Sequence, residues 1–189
     1  MTNSSRKVYT MAIAALLSTI GILIPLYSPL KIRLDPASFT LGVHVPIFIA
    51  MFISPVTALF VSLITALGFL AAYPPVIVIR ALTHIIFAVL GAYILKKNNN
   101  ILLSLKTAIP FVVIISVIHA AAEVIVVSIF YFFGDTSSDF VRVVLGLVGV
   151  GGTIHSILDF MIAAFIWVPL QRAIQIPSNA RIRITSISK

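Results

Sequence analysis

The chain has 189 residues, of which 60% are hydrophobic and only 10% are charged. Because soluble domains carry about 25% charged residues, this composition excludes a soluble domain and predicts a polytopic membrane protein. The chain contains no cysteine, which excludes disulfides, thiolate metal sites and cysteine nucleophiles.

The formal net charge of +8 does not predict nucleic-acid binding, since the basic residues lie at the ends of apolar runs rather than on one face. The positive-inside rule explains this placement better. Nine Lys and Arg residues lie on the side of the termini and three on the other side. This asymmetry predicts a multi-pass protein of the cell membrane, in contact with lipid, with both termini in the cytoplasm.

A membrane span needs about 20 apolar residues, and the apolar runs predict an all-α integral membrane protein with six transmembrane helices in a single domain, residues 1–189. No small-residue cleavage site follows the first run, so it is interpreted as a retained span rather than a signal peptide. The predicted spans cover about residues 8–26, 44–54, 56–72, 76–95, 105–133 and 140–174.

The first span carries two pairs of small residues with i, i+4 spacing, Ala14 with Ser18 and Ala15 with Thr19. Small residues at this spacing let another helix approach closely. The second helix could belong to this chain or to a partner protein.

A long stretch without regular pattern, Tyr27–Val43, separates the first two spans on the predicted outer side. Loops of this length between spans are often functional. It could be a surface loop with a local salt bridge. We favour a lid over a pocket, with Phe39 or Arg33 reaching inward.

Ionisable residues recur within the apolar runs. His44 opens the second span, and Arg80 and His84 form an i, i+4 pair in the fourth. Arg80 could extend to the headgroups or could face a pocket and bind an anion, and both positions stay open. His84 by itself is more often a hydrogen-bonded packing residue than a ligand.

Two further i, i+4 pairs lie in the fifth and sixth spans, His119 with Glu123 and His155 with Asp159. Each pair projects from one helix face. Carboxylates inside a membrane are costly and usually mark a functional site. The pairs therefore predict the polar lining of one pocket.

Several kinds of chemistry compete for these pairs. Zinc could bind their nitrogen and oxygen atoms, but the sequence has no dense cluster of histidines, and we predict no metal site and no cofactor. The HExxH motif of membrane metalloproteases is absent, and no serine stands in a protease-like context, so we predict no catalytic residues. A proton relay in a stand-alone carrier is a stronger alternative, although no internal repeat supports it.

Two interpretations remain for the same residues. The pairs could bond each other and hold the last two spans together, because buried polar groups normally find partners. They could also bind a small polar organic ligand in a mostly apolar pocket. Phe39, Phe48, Phe69 and Tyr131 could supply its aromatic surface.

This layout resembles the substrate-binding S components of energy-coupling-factor (ECF) vitamin transporters. The resemblance covers about Val8–Gln175 and depends on the chain length, six predicted spans, the small-residue segment AIAALLST, the long outer loop and the short second span. The segments PASFTLGVHVPIFIAMFISP, HAAAE and HSILD look like those of the subfamily in lactic-acid bacteria.

The resemblance implies that the chain captures one water-soluble vitamin from outside, under the loop between spans 1 and 2. It implies docking through Ala14, Ala15, Ser18 and Thr19 onto a transmembrane coupling (T) protein carried by two ATPase subunits, although span 1 departs from a strict Ala-xxx-Ala pattern. The chain has no Walker motif, so it is not expected to be an enzyme, and ATP hydrolysis would belong to the partners.

Pantothenate is the favoured vitamin, because Arg33 and Arg80 suit a carboxylate while His119 and Glu123 suit hydroxyl and amide groups. Niacin or another B vitamin is the alternative. The expected ligand-binding residues are Arg33, Phe39, His44, Arg80, His84, His119, Glu123, His155 and Asp159.

Overall fold

A computed structural model describes residues 2–34, 37–133, 140–173 and 177–182. Short 3-10 turns (Phe69–Ala71 and Ile101–Leu103) supplement the longer elements. In chain order the elements are α1 (Asn3–Tyr27), β1 (Lys31–Leu34), β2 (Ala37–Thr40), α2 (Val45–Ile53), α3 (Pro55–Gly68), α4 (Pro75–Lys97), α5 (Leu105–Phe133), a π-helical segment (Val141–Gly151) and α6 (Gly152–Ala173).

Four helical stretches of the described chain are long and apolar enough to cross a membrane: α1, α4, α5 and the continuous stretch Val141–Ala173. The protein is therefore a multi-pass membrane protein. The nine residues of α2 extend only about 14 Å at 1.5 Å per residue, and α3 is also short. The prediction of six complete spans stays a prediction, and the last residue of the sixth, residue 174, lies outside the described part.

Helix α2 forms the centre of the protein, and all nine of its residues are buried. A helix that is apolar on every side is expected inside a large core, and α2 packs against α1, α3, α4 and α6. Ser54 ends it in an extended conformation. The Ser54 hydroxyl then accepts a hydrogen bond from the Thr57 N–H at 3.1 Å, and Pro55 opens α3, whose first N–H needs no partner.

The C-terminal segment closes one end of α2. The last carbonyls of a helix have no partner within the helix, and the Phe52 carbonyl accepts hydrogen bonds from the N–H groups of Asn179 and Ala180, at 2.8 and 3.1 Å. The Trp167 indole N–H donates to the Ala180 carbonyl at 3.1 Å. These bonds fasten residues 177–182 against the buried core.

The stretch between α1 and α2 is not irregular as predicted, because it contains an antiparallel hairpin. β1 pairs with β2 in a register that places Lys31 opposite Thr40 and Ile32 opposite Phe39. The alternation of polar and apolar residues in KIRL is a strand signal and accounts for this strand. The side chain of Arg33 lies outside the described part of the structure.

The predicted sixth span also differs from a simple α-helix, because its first part is a π-helix from Val141 to Gly151. Such helices are rare and are found mostly at functional sites. At its end, a Cβ on Gly151 would lie 3.1 Å from the Phe39 ring. The missing side chain therefore lets the hairpin pack closely against this segment.

Candidate functional site

A cavity of about 70 Å³ lies where the hairpin, α4, α5 and the start of α6 meet. Its wall is partly apolar, with contributions from Phe39, Phe69 and Ile77. The polar and charged residues that line it are Lys31, Ser38, Thr40, His44, Tyr73, Arg80, His84, His119, Glu123 and His155.

Glu123 is the centre of one half of the site. One carboxylate oxygen accepts a hydrogen bond from an Arg80 Nη2 at 2.8 Å. The other oxygen lies 3.3 Å from His84 Nε2 and 3.6 Å from His119 Nε2. A buried carboxylate is stable only when it is paired and hydrogen-bonded, so this network joins α4 to α5.

Asp159 is the centre of the other half and is fully buried. One of its oxygens accepts the Gly42 N–H at 2.7 Å, and the other accepts the His44 N–H at 3.0 Å. The second oxygen also lies 3.0 Å from His44 Nδ1 and 3.5 Å from His155 Nε2. Gly42 has a φ of 85°, a conformation that glycine adopts readily. Asp159 therefore fastens the segment between the hairpin and α2 to α6.

All four histidines of the chain converge at this site. The His44 ring is central, with its centroid 4.5 Å from that of His119, 4.7 Å from that of His84 and 5.2 Å from that of His155. The ligand atoms of His44, His84 and His119 lie within 4.8 Å of one another. Among the described residues, neither ring nitrogen of His119 has a hydrogen-bond partner. We call these four histidines with Arg80, Glu123 and Asp159 the polar cluster.

The closest contacts within the polar cluster differ from the predicted pairs. His119–Glu123 and His155–Asp159 are the longer contacts, at 3.6 and 3.5 Å. The shorter ones connect different elements, because Glu123 faces α4 and Asp159 faces the start of α2. The sequence left open whether Arg80 extends to the headgroups or faces a pocket. In the structure it faces the cavity, and its side chain is 7% exposed.

Most of the expected ligand-binding residues line the cavity: Phe39, His44, Arg80, His84, His119, Glu123 and His155. Asp159 stands behind His44 rather than in the wall. Sequence reasoning missed Lys31 and Tyr73. Lys31 alternates with apolar residues in β1, and Tyr73 precedes two prolines at the start of α4, so the strand pattern and the turn were the available signals.

The four aromatic residues suggested by the sequence divide into two sets. Phe39 and Phe69 line the cavity. Phe48 lies deeper, against Phe87 and Phe160, and the Tyr131 ring packs on Phe140. Phe48 and Tyr131 therefore support the surrounding core and do not form the wall of this cavity.

A second, open groove of about 570 Å³ lies between the hairpin and α6. Its wall is mainly apolar, with Leu41, Ile154 and Leu158 among its residues, and it shares Lys31, Phe39 and His155 with the inner cavity. The rings of Phe39 and His155 meet edge to face, with centroids 5.6 Å apart. This contact lies where the inner cavity adjoins the groove.

The small residues of α1 that were expected to form a docking surface point in two directions. Ser18 is buried, and its hydroxyl donates to the Ala14 carbonyl at 2.8 Å. Ala14 packs against the core. Ala15 and Thr19 are exposed. Only the second pair is therefore open to another molecule.

The chain is similar to a known transporter. It is 41% identical over 160 residues to "Niacin transporter NiaX" of Lactococcus lactis subsp. cremoris (strain MG1363), a match that covers 83% of this chain and 72% of NiaX. The chain belongs to the NiaX family of transporters. This membership supports the resemblance to S components and gives no support to pantothenate as the vitamin. Models of known protein families and solved structures give no match to the chain.

Replacing Asp159 by Asn tests the anchoring of the segment before α2. Asn places an NH2 group among donors that need an acceptor, and it removes the buried negative charge. We expect the free energy of unfolding to fall by about 3 kcal/mol and the segment between α1 and α2 to become sensitive to protease.

Ser156→Ala is the matched control one turn earlier on α6. The Ser156 hydroxyl is buried without a hydrogen-bond partner among the described residues, so its loss costs little. Thermal unfolding in detergent and limited proteolysis measure both effects. Equal stability of the two variants would contradict the anchoring role of Asp159.

Proposed function

We propose that the chain is the substrate-binding S component of an ECF importer and that it captures niacin, as nicotinate, from outside the cell. The observation that carries this proposal is a small, partly open cavity, lined by Arg80, the histidines and residues of the hairpin. The family membership supports it, since NiaX is a niacin transporter.

The size of the cavity favours niacin over pantothenate. Its volume of about 70 Å³ is that of roughly five to seven water molecules, since one water occupies about 10–15 Å³ on this measure. Nicotinate is a single flat ring with one carboxylate. Pantothenate is longer and branched, so it would need a larger space. The niacin alternative therefore replaces the pantothenate preference.

The charges and rings of the wall suit an aromatic acid. Arg80 and Lys31 supply positive charge beside the cavity, and a guanidinium with its five N–H donors can hold Glu123 and a ligand carboxylate together. Phe39 and Phe69 offer ring surfaces to a pyridine ring. The histidine nitrogens can donate to, or accept from, its polar atoms.

The S-component role further implies a T protein and two ATPase subunits as partners. ATP hydrolysis belongs to those partners, and we propose no enzymatic activity for this chain. We assign docking to the exposed face of α1 with Ala15 and Thr19. We propose that the protein lies in the cell membrane, with both termini in the cytoplasm and the hairpin outside.

A panel of vitamins tests the ligand. We expect nicotinate to raise the thermal unfolding temperature of the purified protein at micromolar concentration or below, because binding to the folded state alone stabilises it. Pantothenate and thiamine are the controls and should give no shift. A shift with pantothenate and none with nicotinate would contradict the assignment.

The contribution of Arg80 to nicotinate binding is measured best in a variant that also lacks the charge of Glu123. Arg80→Gln alone leaves Glu123 buried without its guanidinium, so we compare the double variant Arg80→Gln/Glu123→Gln with wild type. Because a hydrogen bond to a charged group contributes about 1.5–3 kcal/mol, the affinity for nicotinate should fall about 10- to 100-fold. The affinity for nicotinamide, which has no negative charge, should fall less.

Lys97→Gln is the control for this experiment, since Lys97 is exposed at the far end of α4. Its affinity for nicotinate should equal that of wild type, as measured by isothermal titration calorimetry. An unchanged ratio of nicotinate to nicotinamide affinity in the double variant would show that Arg80 does not recognise the carboxylate.

Transport distinguishes an S component from a stand-alone proton-coupled carrier. Liposomes containing the chain alone should bind labelled nicotinate without accumulating it. Liposomes that also contain a T protein, two ATPases and ATP should accumulate it. Uptake by the chain alone, driven by a proton gradient, would contradict the S-component role.

A further inference from the structure

Three buried imidazoles from three separate elements share one small space. His44 precedes α2, His84 belongs to α4 and His119 belongs to α5. Their ligand atoms lie within 4.8 Å of one another, and each residue is at most 5% exposed. Buried polar groups normally have partners, yet within the described chain neither ring nitrogen of His119 makes a hydrogen bond, and Nε2 has only the 3.6 Å contact with Glu123.

Carboxylates stand behind two of these rings. His44 Nδ1 lies 3.0 Å from Asp159, and His84 Nε2 lies 3.3 Å from Glu123. A carboxylate bonded to one ring nitrogen fixes the ring and leaves the second nitrogen for a metal ion, as is usual for metal-binding histidines. The polar cluster thus contains imidazoles that can bind a metal ion and carboxylates that can orient two of these imidazoles.

We propose that His44, His84 and His119 bind one divalent transition-metal ion of the zinc class, with a fourth coordination position facing the cavity. Imidazole nitrogens suit zinc, cobalt, nickel and copper better than magnesium or calcium. Zinc–nitrogen bonds of about 2.0–2.1 Å in a tetrahedron place the nitrogens about 3.3 Å apart. The ligand atoms now lie within 4.8 Å of one another, so metal binding requires the three side chains to move closer together.

The ion would also offset the charge of an anionic ligand. With neutral imidazoles, Arg80 and Lys31 offset Glu123 and Asp159, so the site has no net charge before a ligand binds. An anionic vitamin would add one net negative charge, which a bound cation offsets. This link rests on the proposed function, whereas the metal site itself does not.

Metal titration tests the site directly. The protein is purified through a tag without histidine, treated with EDTA and dialysed against Zn²⁺, and the bound zinc per chain is measured. In a parallel titration, binding of Co²⁺ is followed by its absorption spectrum. We expect one ion per chain. His119→Gln should weaken zinc binding more than about 100-fold, since loss of an outer partner alone costs about 10- to 100-fold. Ser116→Ala, one turn earlier on α5, should bind as wild type does.

Zinc binding by His119→Gln with wild-type affinity, or less than one ion per wild-type chain, would overturn the proposal. If His119→Gln does not fold, as judged by gel filtration, the thermal shift of wild type decides: no rise in unfolding temperature with Zn²⁺ overturns the site. Nicotinate is titrated separately onto zinc-loaded and EDTA-treated protein. Zinc binding without nicotinate binding would leave the metal site standing and reject the vitamin.

Discussion

Burial of two carboxylates inside an apolar helical bundle is the constraint on which the architecture depends. Glu123 is held by Arg80 and His84 of α4, and Asp159 by the backbone N–H groups of Gly42 and His44. Each carboxylate costs several kcal/mol to bury unless such partners are in place. The relative positions of α4 with α5, and of α6 with the segment before α2, follow from this requirement.

The apolar part of the chain supports this arrangement. The fully buried helix α2 separates the polar cluster from the opposite end of the protein, where Trp167 and Ala180 close the core. The hairpin then covers the cavity, and Phe39 lies between the cavity and the outer groove. A small polar space with an aromatic cover suits capture of a small aromatic acid, which is the role proposed for the chain.

The sequence predicted the helical membrane class and every polar residue of the cluster, because ionisable groups in apolar runs are conspicuous. It did not predict their pairing. The i, i+4 spacing suggested partners on one helix, whereas His44 and Arg80 reach the carboxylates from other elements. The hairpin was missed because its strands have only four residues each. The proposal of niacin as the vitamin depends on the cavity volume and on the similarity to NiaX, neither of which a residue pattern provides.

An experimental structure of the protein with nicotinate bound would test the proposed binding site most directly. We expect the pyridine ring in the inner cavity, with the ligand carboxylate within hydrogen-bond distance of Arg80 and the Phe39 ring over the pyridine. Nicotinate in the outer groove beside Ile154 and Leu158, with the inner cavity unchanged, would contradict the proposed binding site.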